Sequence, residues 1–336
     1  MFGLSKYFGT SINKDDYYFG RLIEEQKATY GTILSGIEAF ADEIKLPLLP
    51  INEMSMIFDY VLLDNPLLFY VSSFSQLNDL YKKKSSIKPD YKYARQIVKQ
   101  SIGVVTKYLQ TFDALKTKSD IVKETYIHDY CLDNFQYDYT FSDYSHSILG
   151  PVLNKTAVCE GIAKFVKLTF DYLGVKSIVI RGKAKNPAIE DSASEMHAWN
   201  IVKIDRKTYH LDVTFDMTLK SKINRYDYFN LSDEDIKKDH IIIDKVPACT
   251  TIGNDYFSIN SLLVHNSTEL GTFIGNNLKN GKKHIIVKLA NVRNTENIVD
   301  KIMRIAQKQY ASIYTSGVTV EIGCNSGQMV FEINFR

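Results

Sequence analysis

The sequence predicts an α+β protein with three parts: a mainly helical N-terminal region (1–118), a mixed core (119–245) and a C-terminal α+β accessory subdomain (246–336). Three observations carry this reading. Apolar residues recur at helical spacing through most of the first 118 residues. A helix pattern beginning at Cys159 is followed by strand patterns around His197 and Asp212. Beyond Lys282 the alternation reads as strand, helix, strand, strand.

The elements follow in order. Ile33, Ile37, Phe40, Ala41 and Ile44 predict one long helix over 14–46, ended by Pro47 and Pro50. Met54, Ile57, Phe58, Val61 and Leu62 predict a second helix over 51–63, stopped at Asp64-Asn65-Pro66. Leu67–Ser73 is a short strand candidate that would pair with a segment before Lys82, and the Lys82–Ser86 run is a solvated turn. Ile97, Val98, Ile102, Val105, Leu109 and Phe112 give an amphipathic helix over 91–116. Ser119 is a good N-cap for a helix over 120–135, which carries His128 and Cys131. The Tyr-rich stretch Phe135–Tyr144 reads as loop.

From Cys159, the residues Ile162, Phe165, Val166, Thr169, Phe170 and Leu173 keep core spacing until Gly174-Val175 ends the helix. A strand over 175–182 and a polar loop over 183–194 precede two strands, 196–204 and 207–214. Residues 217–262 read only as short strands and turns. A strand over 284–290, a helix over 295–311 and a hairpin of 317–323 with 328–335 complete a βαββ unit.

Composition narrows function. The net charge of +2 gives no electrostatic reason to expect nucleic acid or a membrane surface. No run of 18 apolar residues occurs and Met1–Gly20 lacks a basic-then-apolar leader pattern, so the expectation is a soluble, cytoplasmic protein with no membrane insertion. The four cysteines, Cys131, Cys159, Cys249 and Cys324, form no CxxC pair and match no zinc spacing. No cofactor and no metal is indicated. His128 and Cys131 lie three residues apart on one helix, but no second pair completes a metal site.

One constellation carries chemistry. A thiol needs help to ionise near neutral pH, and a helix N-terminus supplies it through unpaired N–H groups and the macrodipole. Cys159 sits at such a start, and Gly161 leaves the backbone beside it uncovered, so a substrate or a strand can approach. A two-residue turn at Asp205-Arg206 makes Ile204 face Lys207. Stepping outward, His197 faces Thr214 and Trp199 faces Asp212, which puts these four and His210 on one side of the sheet. His197 and Asp212 become diagonal neighbours within hydrogen-bond reach; a slip of one residue separates them. Each residue also has a bland reading: Cys159 as a small buried hydrophobe, His197 as a satisfied histidine, Asp212 as a strand-end acid, Trp199 as core. The conjunction favours a nucleophile, its base and the base's orienter. His210 is read as supporting structure, and Asp216 as the alternative to Asp212.

These residues resemble a family. Val158-Cys159-Glu160-Gly161-Ile162-Ala163, His197-Ala198-Trp199-Asn200 and His210-Leu211-Asp212-Val213-Thr214-Phe215-Asp216 look like the three signature blocks of the transglutaminase-like superfamily, in order. Ile127-His128-Asp129-Tyr130 and Tyr137-Asp138 resemble the segment that precedes those blocks in bacterial members, and the likeness covers roughly 120–230. It implies a papain-like core, with a Cys-bearing helix packed on an antiparallel sheet that bears His and Asp. It also implies Cys159 as nucleophile, His197 as general base and acid, and Asp212 as orienter. The expected activity is cysteine-dependent acyl transfer at amide or peptide bonds through a thioester. Hydrolysis is favoured over cross-linking, because no acidic cluster resembles a calcium switch. A protein or peptide, or a peptidoglycan-like amide, is the expected substrate. Trp199, Tyr137 and Gly161 are candidates for the pocket or the oxyanion site. The alternative is a protein-binding module that keeps the groove without turnover.

Overall fold

Asp64 organises the start of the chain. Its carboxylate accepts the Tyr18 and Phe19 amides at 3.3 and 2.9 Å and the Tyr30 hydroxyl at 3.3 Å. Burial pushes this carboxyl up to about 6, against the opposing pull of Lys167 and the two amides. The computed structural model describes residues 16–188, 193–221, 223–290, 297–315 and 317–336. The first two residues of the helix expected from 14, part of the polar loop (189–192) and the first two residues of the helix expected over 295–311 lie outside the described residues. The chain falls into two compact units: residues up to Ile180 with Ala198–Arg206, and Arg181–His197 with Lys207–Arg336. The division runs through two strands.

In the first unit the expected long helix is interrupted. Helix α1 (Tyr17–Gly20) and α2 (Glu24–Glu38) are followed by strand β1 (Ile44–Pro47). Phe40 takes φ 55 and stacks on Tyr70 and Tyr91, at 4.8 and 5.0 Å. Ile44 pairs with Ile87. Sheet packing of these two apolar residues outweighs continuation of the helix. Helix α3 (Ile51–Asp64) buries Met54, Ile57, Phe58 and Val61 as the spacing predicts. Pro66–Leu68 is a single 3₁₀ turn, so strand β2 (Val71–Asp79) starts later than expected, and its partner β3 (Lys84–Tyr91) follows Lys82 instead of preceding it. The order β1-β3-β2 makes a three-stranded antiparallel sheet, so the N-terminal region is not helical alone.

Helix α4 (Arg95–Gln110) buries Val98, Val105 and Leu109, whereas Ile97 is 51% exposed, off the buried stripe. Helix α5 (Asp120–Asn134) leads into the short strand β4 (Gln136–Tyr137), which pairs in parallel with β5 (Thr156–Ala157). Helix α6 (Cys159–Leu173) is the hub of this unit. Ile162, Phe165, Val166 and Phe170 are fully buried, each contributing roughly 2 kcal/mol of burial. Gly174 (φ 78) ends α6, and the Val175 amide reaches back to the Phe170 carbonyl at 2.9 Å. Strands β6 (Lys176–Lys185) and β7 (Ser194–Ile204) begin or end in this unit, within a four-stranded sheet of order β8-β7-β6-β9. The Asn200 amide donates to the carbonyls of Ala163 and Ile178, at 3.0 and 3.2 Å, pinning β7 to α6 and β6.

The second unit holds strand β8 (Lys207–Leu211), helix α7 (Val213–Leu219), helix α8 (Asp233–Ile236) and strand β9 (His240–Ile242). Asp205 and Arg206, between β7 and β8, have φ 48 and 68, the signature of the expected two-residue hairpin turn. Beyond helix α9 (Tyr256–Ile259), strand β10 (Leu263–Val264) and helix α10 (Ser267–Lys279) come strand β11 (His284–Leu289), helix α11 (Ile298–Ala311) and strands β12 (Val320–Asn325) and β13 (Val330–Phe335). The sheet order is β10-β11-β13-β12. The expected βαββ unit is therefore extended by a leading strand and helix. Leu270, Ile274, Leu278, Ile302, Phe331 and Ile333 belong to its core.

Candidate active site

Cys159 is the first residue of α6, partly exposed, after an extended Val158 (φ −83, ψ 175). Three features fix that entry. Strand β5 ends two residues earlier, held to β4, and the Asp138 amide donates to the Ala157 carbonyl at 3.0 Å. The Val158 amide donates to the Ser145 carbonyl at 3.2 Å. The loop after β4 is drawn onto the Asp138 carboxylate, which accepts from the Thr140 and Ser142 amides at 2.8 and 3.0 Å, from both their hydroxyls, and from the Ser145 hydroxyl. The Ser142, Ser145 and Thr140 bonds hold this carboxyl far below the usual carboxylate range. Glu160 adds an acid in the first turn, paired with Lys164 at 2.8 Å and His146 at 3.2 Å.

The other cysteines are differently placed. Burial pushes the Cys131 thiol well above its ordinary value, Cys249 up to about 12 and Cys324 up to about 11. None of these three is the first residue of a helix.

The second unit brings His197 and Asp212 together. His197 Nε2 lies 2.6 Å from Asp212 Oδ2 with both residues buried. The ring also stacks on Phe215, with centroids 4.4 Å apart. The route to this contact differs from the one expected. Strand β8 stops at Leu211, so Thr214 does not face His197, and Asp212 is no longer a ladder residue facing Trp199. Asp212 instead caps α7, its Oδ1 accepting the Phe215 amide at 3.1 Å. One carboxylate thus starts a helix and holds an imidazole. Burial alone would raise the Asp212 carboxyl, but His197 and then His240 offset this and hold it well below the usual range.

His240 is a member of this cluster that the sequence reading missed. Its Nε2 lies 3.1 Å from the same Asp212 Oδ2, and its Nδ1 lies 2.6 Å from Asp239 Oδ1. Its only signal was Asp239-His240 standing before Ile241-Ile242-Ile243, a short strand cue in a stretch without periodicity. Asp216, the alternative orienter, is engaged elsewhere: its carboxylate accepts the Tyr228 amide at 3.1 Å.

Among the remaining candidates, Tyr137 pairs with Ala157, two residues before Cys159, and is partly exposed. Gly161 does not open the helix to a substrate. A Cβ there would lie 2.2 Å from the Ser145 carbonyl oxygen and 3.1 Å from that of Ser147, so the chain's own loop fills the space. Trp199 is 1% exposed, as a core residue would be. His210 Nε2 bonds Asp233 at 2.9 Å, and burial lowers this imidazole to about 4. Two groups among the described residues place three metal-ligand atoms close together: His197, Asp212 and His240, and His210, Asp233 and Cys249. His128 and Cys131 belong to neither.

No protein-family model matches the chain, and no curated protein matches it. Among solved structures it is similar to a TGase, at 15% identity and a TM-score of 0.31, over 54% of this chain and 53% of that one. A candidate cysteine protease from Cytophaga hutchinsonii matches at 12% identity and a TM-score of 0.28, over 42% of this chain and 61% of that one. Calcium-bound LapG from Legionella pneumophila matches at 14% and 0.27, over 50% of this chain and 90% of that one. The match to the TGase thus spans about half the length of that chain. No helix among the described residues is long and apolar enough to cross a membrane.

Proposed function

We propose that this chain is a cysteine-dependent acyl-transfer enzyme that cleaves amide or peptide bonds, with Cys159 as nucleophile, His197 as base and acid, and Asp212 as orienter. The observation that carries the reading is the buried 2.6 Å bond between His197 and Asp212 in a chain whose Cys159 opens a helix.

The chemistry follows from the atoms. Asp212 engages Nε2 of His197, so Nδ1 is the nitrogen that takes the thiol proton. The Cys159 sulfur attacks the carbonyl carbon, and the tetrahedral intermediate collapses as His197 returns the proton to the departing amine. Water, deprotonated by His197, then attacks the thioester; the acid leaves and the thiol is restored. The Cys159 amide, at the first position of α6, has no intrahelical acceptor and is one oxyanion donor. Tyr137, next to β5, is the candidate for a second. A protein or peptide substrate suits this chemistry.

The test is the rate of Cys159 alkylation by iodoacetamide near neutral pH, followed by peptide mass spectrometry. The expected result is that Cys159 reacts at least tenfold faster than Cys324, and that His197→Ala and Asp212→Asn each slow it. Equal rates for the two cysteines, unchanged in both variants, would leave a binding module as the surviving reading.

A further inference from the structure

The Asp212 carboxylate belongs to a buried network that runs through His240 into the C-terminal sheet, all within the second unit. Asp239 Oδ2 accepts the Tyr228 hydroxyl at 2.6 Å and the Gln328 side-chain amide at 3.1 Å. Gln328 also donates through that amide to the Asp235 carbonyl at 3.1 Å, and its backbone N–H donates to Asn325 Oδ1 at 3.3 Å. Asn325 in turn donates to Asp227 Oδ2 at 3.0 Å. Arg225 grips Asp227 through two bonds of 2.9 and 2.8 Å and reaches Glu332 of β13 at 3.2 Å.

We infer that His240 is a positioning residue, and that the β12–β13 turn, through Gln328 and Asp239, sets how His240 holds the Asp212 carboxylate against His197. This rests on the function proposed above. Three physical points support it. His240 lies between two carboxylates, with Nε2 3.1 Å from Asp212 and Nδ1 2.6 Å from Asp239, so the ring is held at both ends. That ring is fully buried and lies 4.9 Å from Phe215 and 5.6 Å from Tyr228, which blocks its rotation. Finally, the turn closes tightly on Asp239: a Cβ on Gly327 would lie 2.7 Å from Asp239 Oδ2. Gln328 Oε1 is buried with no partner among the described residues, so the bonds of this side chain are those its amide nitrogen donates.

The arrangement differs from a hydrogen bond that merely satisfies a buried acid. Asp212 Oδ2 receives both rings, at 2.6 and 3.1 Å, so any shift of His240 is felt at the oxygen that orients His197. Oδ1 is already committed to the Phe215 amide. The carboxylate then has little freedom to compensate.

The experiment is the pH profile of Cys159 alkylation in the full chain, for the wild type, His197→Ala, Asp212→Asn, His240→Phe, His240→Gln and Gln328→Met. Each variant is checked for its thermal midpoint and circular dichroism. His240→Phe should slow alkylation at neutral pH about tenfold and move the profile toward that of Asp212→Asn. Gln328→Met, remote from Asp212, should shift it the same way by about threefold. His240→Gln, which keeps an N–H donor, should recover most of the rate. If His240→Phe fails to fold, Gln328→Met carries the decision. A folded Gln328→Met with the wild-type profile, while Asp212→Asn alters it, overturns the positioning role. Profiles unchanged by His197→Ala and Asp212→Asn overturn the proposed function, and the positioning role with it. Zinc that binds stoichiometrically, blocks alkylation and is lost in His240→Phe would mean that the three side chains form a metal site instead, and would also overturn the inference.

Discussion

Gly161→Ala tests how the helix that opens at Cys159 is held. The new methyl carbon would sit 2.2 Å from the Ser145 carbonyl oxygen and 2.8 Å from the Ala157 Cβ. An ordinary carbon–oxygen contact is roughly 3.3 Å, so the two must part by about 1 Å. The obstacle is backbone and cannot rotate away. Ser145 is tied through its carbonyl to the Val158 amide and through its hydroxyl to Asp138. Overpacking costs about 1–3 kcal/mol and the lost Val158 bond about 1, while alanine returns about 1 through helix propensity. The net expectation is a loss of about 1–3 kcal/mol. Gly103, inside α4 with nothing near its Cβ position, is the matched control, and Gly103→Ala should gain up to about 1 kcal/mol. Urea unfolding of both variants measures this. If Gly161→Ala matches or exceeds wild-type stability, the loop does not brace the start of α6 and the account of Cys159's placement fails.

Other expectations are independent of that one. His210 is neutral when folded down to about 4 but takes its proton near the ordinary 6.5 when unfolded, so its stabilisation is complete above 6.5 and fades as pH falls to about 4. This amounts to about 3 kcal/mol in all. Urea midpoints at pH 7.5, 5.5 and 4.5 should fall less steeply in His210→Gln; a parallel slope refutes it. Asp64, raised to about 6, acts with the opposite sign, gaining stability as pH falls below 6, so the comparison must be between variant and wild type. Glu332→Ala leaves Arg225 buried with Asp227 as its remaining acid and should cost about 1.5–3 kcal/mol by the same unfolding assay; a cost below about 1 kcal/mol refutes it. Under native conditions at pH 8, Cys131 and Cys249, both fully buried, should resist alkylation until urea unfolds the chain. Their labelling in the folded protein, read by mass spectrometry, would contradict their placement.

What was legible in the sequence was local. The start of α6 could be read because Leu153–Val158 breaks helical periodicity and Ile162, Phe165 and Val166 resume it. The turn between β7 and β8 could be read because Asp205-Arg206 admits the left-handed pair of φ values that a two-residue turn needs. The end of β8 could not, since Val213-Thr214-Phe215 has strand propensity and only tertiary context makes it a helix that Asp212 caps. Helix α10 was missed because Ser267–Lys279 is rich in Thr, Gly and Asn, poor helix formers, and shows only Leu270, Ile274 and Leu278 as its buried stripe. His240 lay beyond reach for another reason. Its role depends on a contact across 28 residues of sequence, and no spacing encodes that.

That long-range contact bears on what the C-terminal sheet is for. A buried carboxylate without donors costs several kcal/mol, and Asp212 meets that cost with two imidazoles and one amide. The second imidazole is supplied by β9, and β9 is itself paired antiparallel with the end of β6, Ala184 facing His240. On its other side His240 depends on Asp239, which leans on Tyr228 and Gln328. A sheet whose only task was to add stability could be joined through apolar contacts alone. This one meets the His197–Asp212 pair through a line of charged and amide groups, each of which must be satisfied for the next to hold its angle. Small changes in the β12–β13 turn should therefore be felt as changes in Cys159 reactivity before they are felt as changes in stability.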